Sequence, residues 1–118
     1  MYAYRVDATL NIAANASLSD AFKLDRNWLI SLVMPAAWTT ASLTFQGSNE
    51  QDTPTTWFDL YSDTGEIVVS TAAASRGIVL PPTLVHGWWW VRLRSGTSAA
   101  PVVQTAARQV IVRMRQFA

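Results

Sequence analysis

The sequence predicts an all-β domain, an antiparallel β-sandwich of the jelly-roll kind with about eight strands. Three observations predict it. Short segments alternate in period two and are separated by Gly, Pro, Asn, Asp and Ser. No credible crossover helix lies between them. The chain has 118 residues, 50% hydrophobic and 14% charged, which is room for one packed core and so for a single domain over 1–118.

Ala8–Ile12, Ser17–Leu24 and Trp28–Met34 are the first strand candidates. The third is nearly continuous in apolar residues and therefore central, and Pro35 ends it. Ala41–Gln46 is the cleanest alternation, with Ala41, Leu43 and Phe45 toward the core and Ser42, Thr44 and Gln46 toward water. Gly47–Pro54 reads as a polar loop. Thr56–Tyr61 resumes the alternation, with Phe58 and Leu60 opposite Trp57, Asp59 and Tyr61. Ser62-Asp-Thr-Gly65 reads as a hairpin turn, Gly65 supplying positive φ, and leads into the β-branched strand Glu66–Ser70. Gly77–Leu80 is stopped by Pro81-Pro82, and Trp88–Ser95 is closed by Ser95-Gly96-Thr97. Between Val102 and Ile111 a helical i, i+4 stripe and a strand period both fit. Residues 110–116 alternate better as a strand, with Val110, Val112 and Met114 on one side and Ile111, Arg113 and Arg115 on the other.

At 13.0 kDa a folded surface of about 6,300 Å² is expected against about 19,000 Å² unfolded, enough burial to hold a domain without covalent staples. Cysteine is absent, so disulfides and thiolate metal sites are excluded. Residues 1–18 hold Arg5, Asp7 and Asn11 among apolar residues, and no window approaches a membrane span. A soluble protein with no membrane partner, not exported through a signal peptide, is expected. The formal charge of +1 conceals a segregation, because all eight acids lie at or before Glu66 while Arg76, Arg92, Arg94, Arg108, Arg113 and Arg115 follow it. Either the halves interleave and the charges mix, or the molecule is polar and docks head to tail.

Catalytic chemistry finds little support. His86 is the sole histidine and has no G-x-S-x-G elbow or partner motif, so it reads as structural or solvated. Asp59, Asp63 and Glu66 are close in sequence, but Asp63 fits the turn and Glu66 an exposed strand start. Asn49–Asp52 offers oxygen ligands without the spacing of a calcium loop, Asn15-Ala-Ser17 is a sequon that matters only in a secretory compartment, and no glycine loop cradles phosphate. A protein that is not an enzyme, with no catalytic residues, metal or cofactor, is the expectation.

Trp88-Trp-Trp-Val-Arg-Leu-Arg94 is the constellation that stands out. As a strand it turns Trp89, Val91 and Leu93 to the core and leaves Trp88, Trp90, Arg92 and Arg94 on the other face, with Arg113 and Arg115 extending the patch if their strand faces the same way. Four readings compete. A subunit or partner interface is favoured, because Trp and Arg anchor interfaces. The opposite register or a covering loop would instead bury the tryptophans. A glycan could stack on Trp57, Tyr61, Trp88 or Trp90. Nucleic acid is disfavoured by the near-neutral charge and the single lysine.

The run of Ser17-Leu-Ser, Leu32-Val-Met-Pro-Ala-Ala-Trp38, Ala41-Ser-Leu-Thr-Phe-Gln-Gly-Ser48, Trp57-Phe-Asp-Leu-Tyr61, Val91-Arg-Leu-Arg-Ser-Gly-Thr97, Pro101-Val-Val-Gln104 and Ala107-Arg-Gln-Val-Ile111 resembles small virion proteins of tailed bacteriophages and gene-transfer particles. The resemblance spans most of residues 15–115 and carries over no ligand position. It implies a homo-oligomer made in the bacterial cytoplasm and built into a virion, where it decorates the capsid or forms the base or adaptor of a head spike or fibre. A second likeness, to galactose-binding-like jelly rolls, implies a carbohydrate-binding module that attaches to host-surface glycans. Both imply a β-sandwich.

Overall fold

Alternation of exposed and apolar residues starts earlier in the chain than the first strand candidate. Arg5, Asp7, Thr9 and Asn11 are exposed, whereas Val6, Ala8, Leu10 and Ile12 turn inward, and the first strand is accordingly long. The computed structural model describes residues 3–117, with side chains over 5–116. Its strands are β1 (Ala3–Ile12), β2 (Leu18–Lys23), β3 (Trp28–Val33), β4 (Leu43–Ser48), the two-residue strands β5 (Phe58–Asp59), β6 (Tyr61–Ser62), β7 (Gly65–Glu66) and β8 (Val68–Val69), then β9 (Gly77–Val79), β10 (Trp90–Ser95) and β11 (Arg108–Phe117). No helix occurs among the described residues.

The topology is one long hairpin rolled upon itself. β1 pairs with β11, β2 with β10, β3 with β9 and β4 with β5, all antiparallel. Rolling lays the pairs alternately in two layers, β1-β11-β3-β9 in one and β2-β10-β4-β5 in the other, the jelly-roll order. A single β1–β2 bridge, Ile12 to Ser19, joins the layers at a corner. At the β2 bulge beside it, the Ser19 hydroxyl accepts the Leu93 N–H at 2.9 Å in place of a ladder bond. Between the layers lies one core, drawing Leu10, Phe22, Leu29, Leu32, Leu43, Phe45, Val91, Leu93, Val110, Val112 and Met114 from strands of both. The accessible surface is 6395 Å², close to the expected value for a chain of this mass.

The inward rows read from Leu43 and Phe45, from Val91 and Leu93, and from Val110, Val112 and Met114 are as expected. Four local expectations are corrected. Residues 102–107 form neither helix nor strand, and the final strand begins at Arg108. Gly47 and Ser48 belong to β4 rather than to a loop. Thr56–Tyr61 is no continuous strand: Phe58 is 50% exposed and Leu60 3%, because the chain breaks step at Leu60, whose N–H bonds the Phe45 carbonyl and whose own carbonyl accepts the Ile67 N–H. Trp88 and Trp89 precede β10, and the Trp89 carbonyl is taken by the N–H groups of Leu24 and Asp25.

A buried glutamine gathers the loops at one end. Gln104 accepts the Thr39 N–H at 2.8 Å and Arg108 Nε at 3.1 Å, and its amide donates to the Thr39 carbonyl and to Ser95 Oγ. Its backbone bonds Asn15 and Ala16, so the β1–β2, β3–β4 and β10–β11 connections are held through one side chain and its peptide.

Gly47 is set by packing. A Cβ there would lie 2.7 Å from Trp88 Cδ2, inside the indole ring system rather than at a flexible tip. Gly47→Ala is expected to lower stability by about 1–3 kcal/mol, as overpacking does, with a change in tryptophan emission. An unchanged urea midpoint would show instead that Trp88 is free to move aside.

Candidate functional site

The outward row of β10 is where the sequence placed its Trp and Arg residues, and the ladders fix their neighbours. Trp90 stands between Lys23 and Ser48, Arg92 between Ala21 and Gln46, and Arg94 between Leu18 and Thr44. Arg94 in this row is buried, and Trp90 and Arg92 are half-buried. Residues 49–69, which run out from β4 through β5 to β8, lie over the row as a strap.

Arg94 anchors the strap. The residue is 5% exposed, and its guanidinium donates to Asp59 Oδ1 and Glu66 Oε2, both at 2.6 Å, and through Nε to Thr44 Oγ1 at 3.1 Å. Three planar donors thus meet three acceptors, the arrangement a buried guanidinium requires. Thr44, wholly buried, donates its own hydroxyl hydrogen bond to the Gly96 carbonyl. Glu66 also accepts the Ser98 N–H at 3.1 Å, which ties the strap to the β10–β11 connection. Hydrogen bonds from Gln46 and then Arg94 hold the Asp59 carboxyl below its ordinary 3.8, with partial burial opposing them and the Arg94 charge adding to them.

Arg92 extends the network. Its Nε donates to Gln46 Oε1 at 2.8 Å, Gln46 donates onward to Asp59, and the Arg92 guanidinium lies 4.2 Å from the centre of the Trp57 ring. Burial, and then the charge of Arg94, lower the Arg92 pKa. Trp90 Nε1 donates to the Gln51 carbonyl, and Glu50 accepts the N–H groups of Thr55 and Thr56 at 2.7 and 2.6 Å, which folds the loop before β5 onto itself. Those loop bonds, the Thr56 N–H foremost, lower the Glu50 pKa.

Arg94, expected at an interface, is instead an internal residue, whereas Trp90 and Arg92 contact the strap within their own chain and stay half-buried. Trp88 packs against the core and Gly47, with its ring 6.1 Å from that of Phe58. Arg113 and Arg115 lie on β11, in the other layer, and do not extend the patch because the outer faces of two stacked layers point apart. Of the candidate stacking residues, Trp57 has Arg92 against its ring, whereas Tyr61 is 60% exposed with its hydroxyl 3.3 Å from Ser98 Oγ. Glu66, expected at an exposed strand start, is instead the near-buried partner of Arg94, while Asp63 stays exposed in its turn.

Aromatic side chains collect at the end of the sandwich formed by the β2–β3 and β9–β10 connections. His86 lies 4.9 Å from Trp28 ring to ring, and Lys23 Nζ lies 5.9 Å from the rings of both Trp89 and Trp90. The sequence reading missed Asp59, Glu66 and Gln46 as partners of the arginines. Their signal was present only as acids and an amide near β4, with nothing to say that they fold over β10.

Arg94→Met is expected to cost about 3 kcal/mol, since it leaves two carboxylates facing each other without their cation, and to make the 49–69 strap a protease target. Because the folded pKa of Asp59 is depressed, its contribution to stability is complete above the ordinary value of 3.8 and is lost as pH falls below it. Urea midpoints of the wild type should therefore fall with acid in this range more steeply than those of Asp59→Asn. Parallel slopes would show that other carboxylates govern the acid transition.

No protein-family model matches the chain, and no curated protein does. Among solved structures it is similar to the SPBc2 prophage-derived protein YomS, with a TM-score of 0.59 and 15% identity over 98% of this chain and 96% of that one. At that identity the likeness is one of fold: the two chains share a single β architecture from end to end.

Proposed function

We propose that the protein is a structural component of a bacteriophage particle, decorating the capsid or forming the base or adaptor of a head spike or fibre, and that it acts through protein contacts rather than catalysis. The observation that carries this reading is the end-to-end likeness in fold to a prophage-derived protein. Composition supports it, since a chain only 14% charged suits a protein with surface covered by neighbours. So does the strap, which uses the most polar side chains of β10 for internal bracing and leaves Phe58, Tyr61 and Val68 exposed.

Attachment to host glycans is the second reading, and the exposed ring of Tyr61 is the feature that favours it. Mass spectrometry of particles purified from the producing bacterium is expected to find the chain at a fixed copy number that survives repeated density-gradient banding. Its loss on banding, or a copy number that varies between preparations, would remove the structural reading. Tryptophan fluorescence shifts with bacterial-surface glycans, abolished by Tyr61→Ala, would then establish the second.

A further inference from the structure

The two outer faces of the sandwich differ in charge, and both carry exposed apolar side chains. On the β1-β11-β3-β9 layer the ladders define the outward rows. Arg5 stands beside Arg115 and Trp28; Asp7 beside Arg113, Ser31 and Val79; Thr9 beside Ile111, Val33 and Gly77. Two guanidinium groups, of Arg5 and Arg113, thus share the Asp7 carboxylate, and Arg115 adds a third cation beside Arg5. Asp7 lies 3.3 Å from Arg5 Nε and 3.7 Å from Arg113 Nε, the second too long for a hydrogen bond, and Arg113 Nε is shielded from water without a partner among the described residues. Beside these cations lie the half-buried pair Ile111 and Val33, and Val79, which is 88% exposed on the edge strand.

The strap on the opposite face has the complementary character. Residues 49–69 contain Glu50, Asp52, Asp59, Asp63 and Glu66 and no Lys or Arg, and Asp52 and Asp63 are exposed. The strap also presents Tyr61 and Val68 at 60% and 43% exposure, whereas Phe58 lies on the Gly47 and Trp88 side of the pleat. Each face joins exposed apolar side chains to an excess of one charge, arginine over Asp7 on the first and carboxylates on the strap, and the excesses are opposite.

We propose that copies of this chain dock head to tail, the arginine-bearing outer face of the β1-β11-β3-β9 layer in one copy receiving the acidic, apolar strap of the next. The occupant of each face is a second copy because the complement of each lies on the same molecule. Since the faces point apart, the contact is heterologous: a bound copy always leaves one basic face and one acidic strap open, so association proceeds until it closes as a ring or extends as a filament. The contact belongs to the chain itself and goes beyond the particle reading, because it is expected in solution without any other component. Apolar side chains hold it and charge orients it, so high salt weakens it.

Light scattering behind a size-exclusion column, at low and high salt, tests this with two charge reversals on opposite faces. Wild type is expected above the monomer mass of 13.0 kDa and to shrink in high salt. Arg113→Glu and Asp63→Arg should each weaken association by at least about tenfold. An equimolar mixture of the two should associate where neither variant does alone, because each keeps one intact face and the intact faces are complementary. Val79→Asp, at a site open to water, repeats the first arm if Arg113→Glu lacks the native circular dichroism spectrum. Wild type that is monomeric at every concentration, an oligomer indifferent to both reversals, or a mixture that stays monomeric would each overturn the docking. None of those results bears on whether the chain is found in purified particles, so the two readings fail separately.

Discussion

The guanidinium of Arg94 ties the strap to the outward row of β10. Where a rolled hairpin reaches its tip, at β4 and β5, the backbone ladder shrinks to pairs of two residues, too short to fix the chain on their own. Side chains complete the hold, Leu60 and Val69 by entering the core and the polar groups by pairing. Arg94 draws Asp59 and Glu66 inward, Glu66 takes hold of Ser98, and Gln46 links Asp59 to Arg92 and so to the ring of Trp57. Removing water from a guanidinium is unfavourable unless it is paired and hydrogen-bonded in return. That requirement makes the arrangement specific: a strap shifted by one residue would leave the cation or a carboxylate unsatisfied.

The pleat of the long strands was legible in the sequence, because period-two alternation records a face that is local to each strand. Leu43 and Phe45, Val91 and Leu93, and Val110, Val112 and Met114 declare their inward side without reference to any partner. The site was legible only in part. Trp90, Arg92 and Arg94 do share the outward side of β10, but whether that side meets water depends on residues 35 and 28 positions earlier in the chain, Asp59 and Glu66. Nothing in the spacing of two acids and an arginine announces such a pairing. Phe58 and Leu60 fail for a related reason, since alternation presumes a continuous ladder and the strap changes partner at Leu60. Gln104 reads as an ordinary polar loop residue until three connections are seen to converge on it.

The segregation of charge along the chain is the sequence feature whose meaning the fold changes. In a jelly roll the first and last strands lie side by side, so the basic second half is brought against acidic residues of the first, as when Asp7 meets Arg113. Mixing is incomplete. Five acids are confined to the strap, two of them spent on Arg94, and the arginines of β11 outnumber the carboxylate beside them. The two layers therefore carry opposite balances on faces that never meet within one molecule.

The pairing of β1 with β11 also bears on how the domain comes into being. Ten residue pairs join the strands at opposite ends of the described chain, and each pair closes a loop that holds nearly the whole sequence or most of it. Chains dominated by such non-local pairing fold over milliseconds to seconds rather than microseconds, because the loop entropy is lost before the contacts form. During synthesis β1, with its inward row of Val6, Ala8, Leu10 and Ile12, waits without its main partner until Arg108 and the residues after it have left the ribosome. A nascent chain of this kind is exposed to aggregation for that interval, and holding chaperones would act on it then.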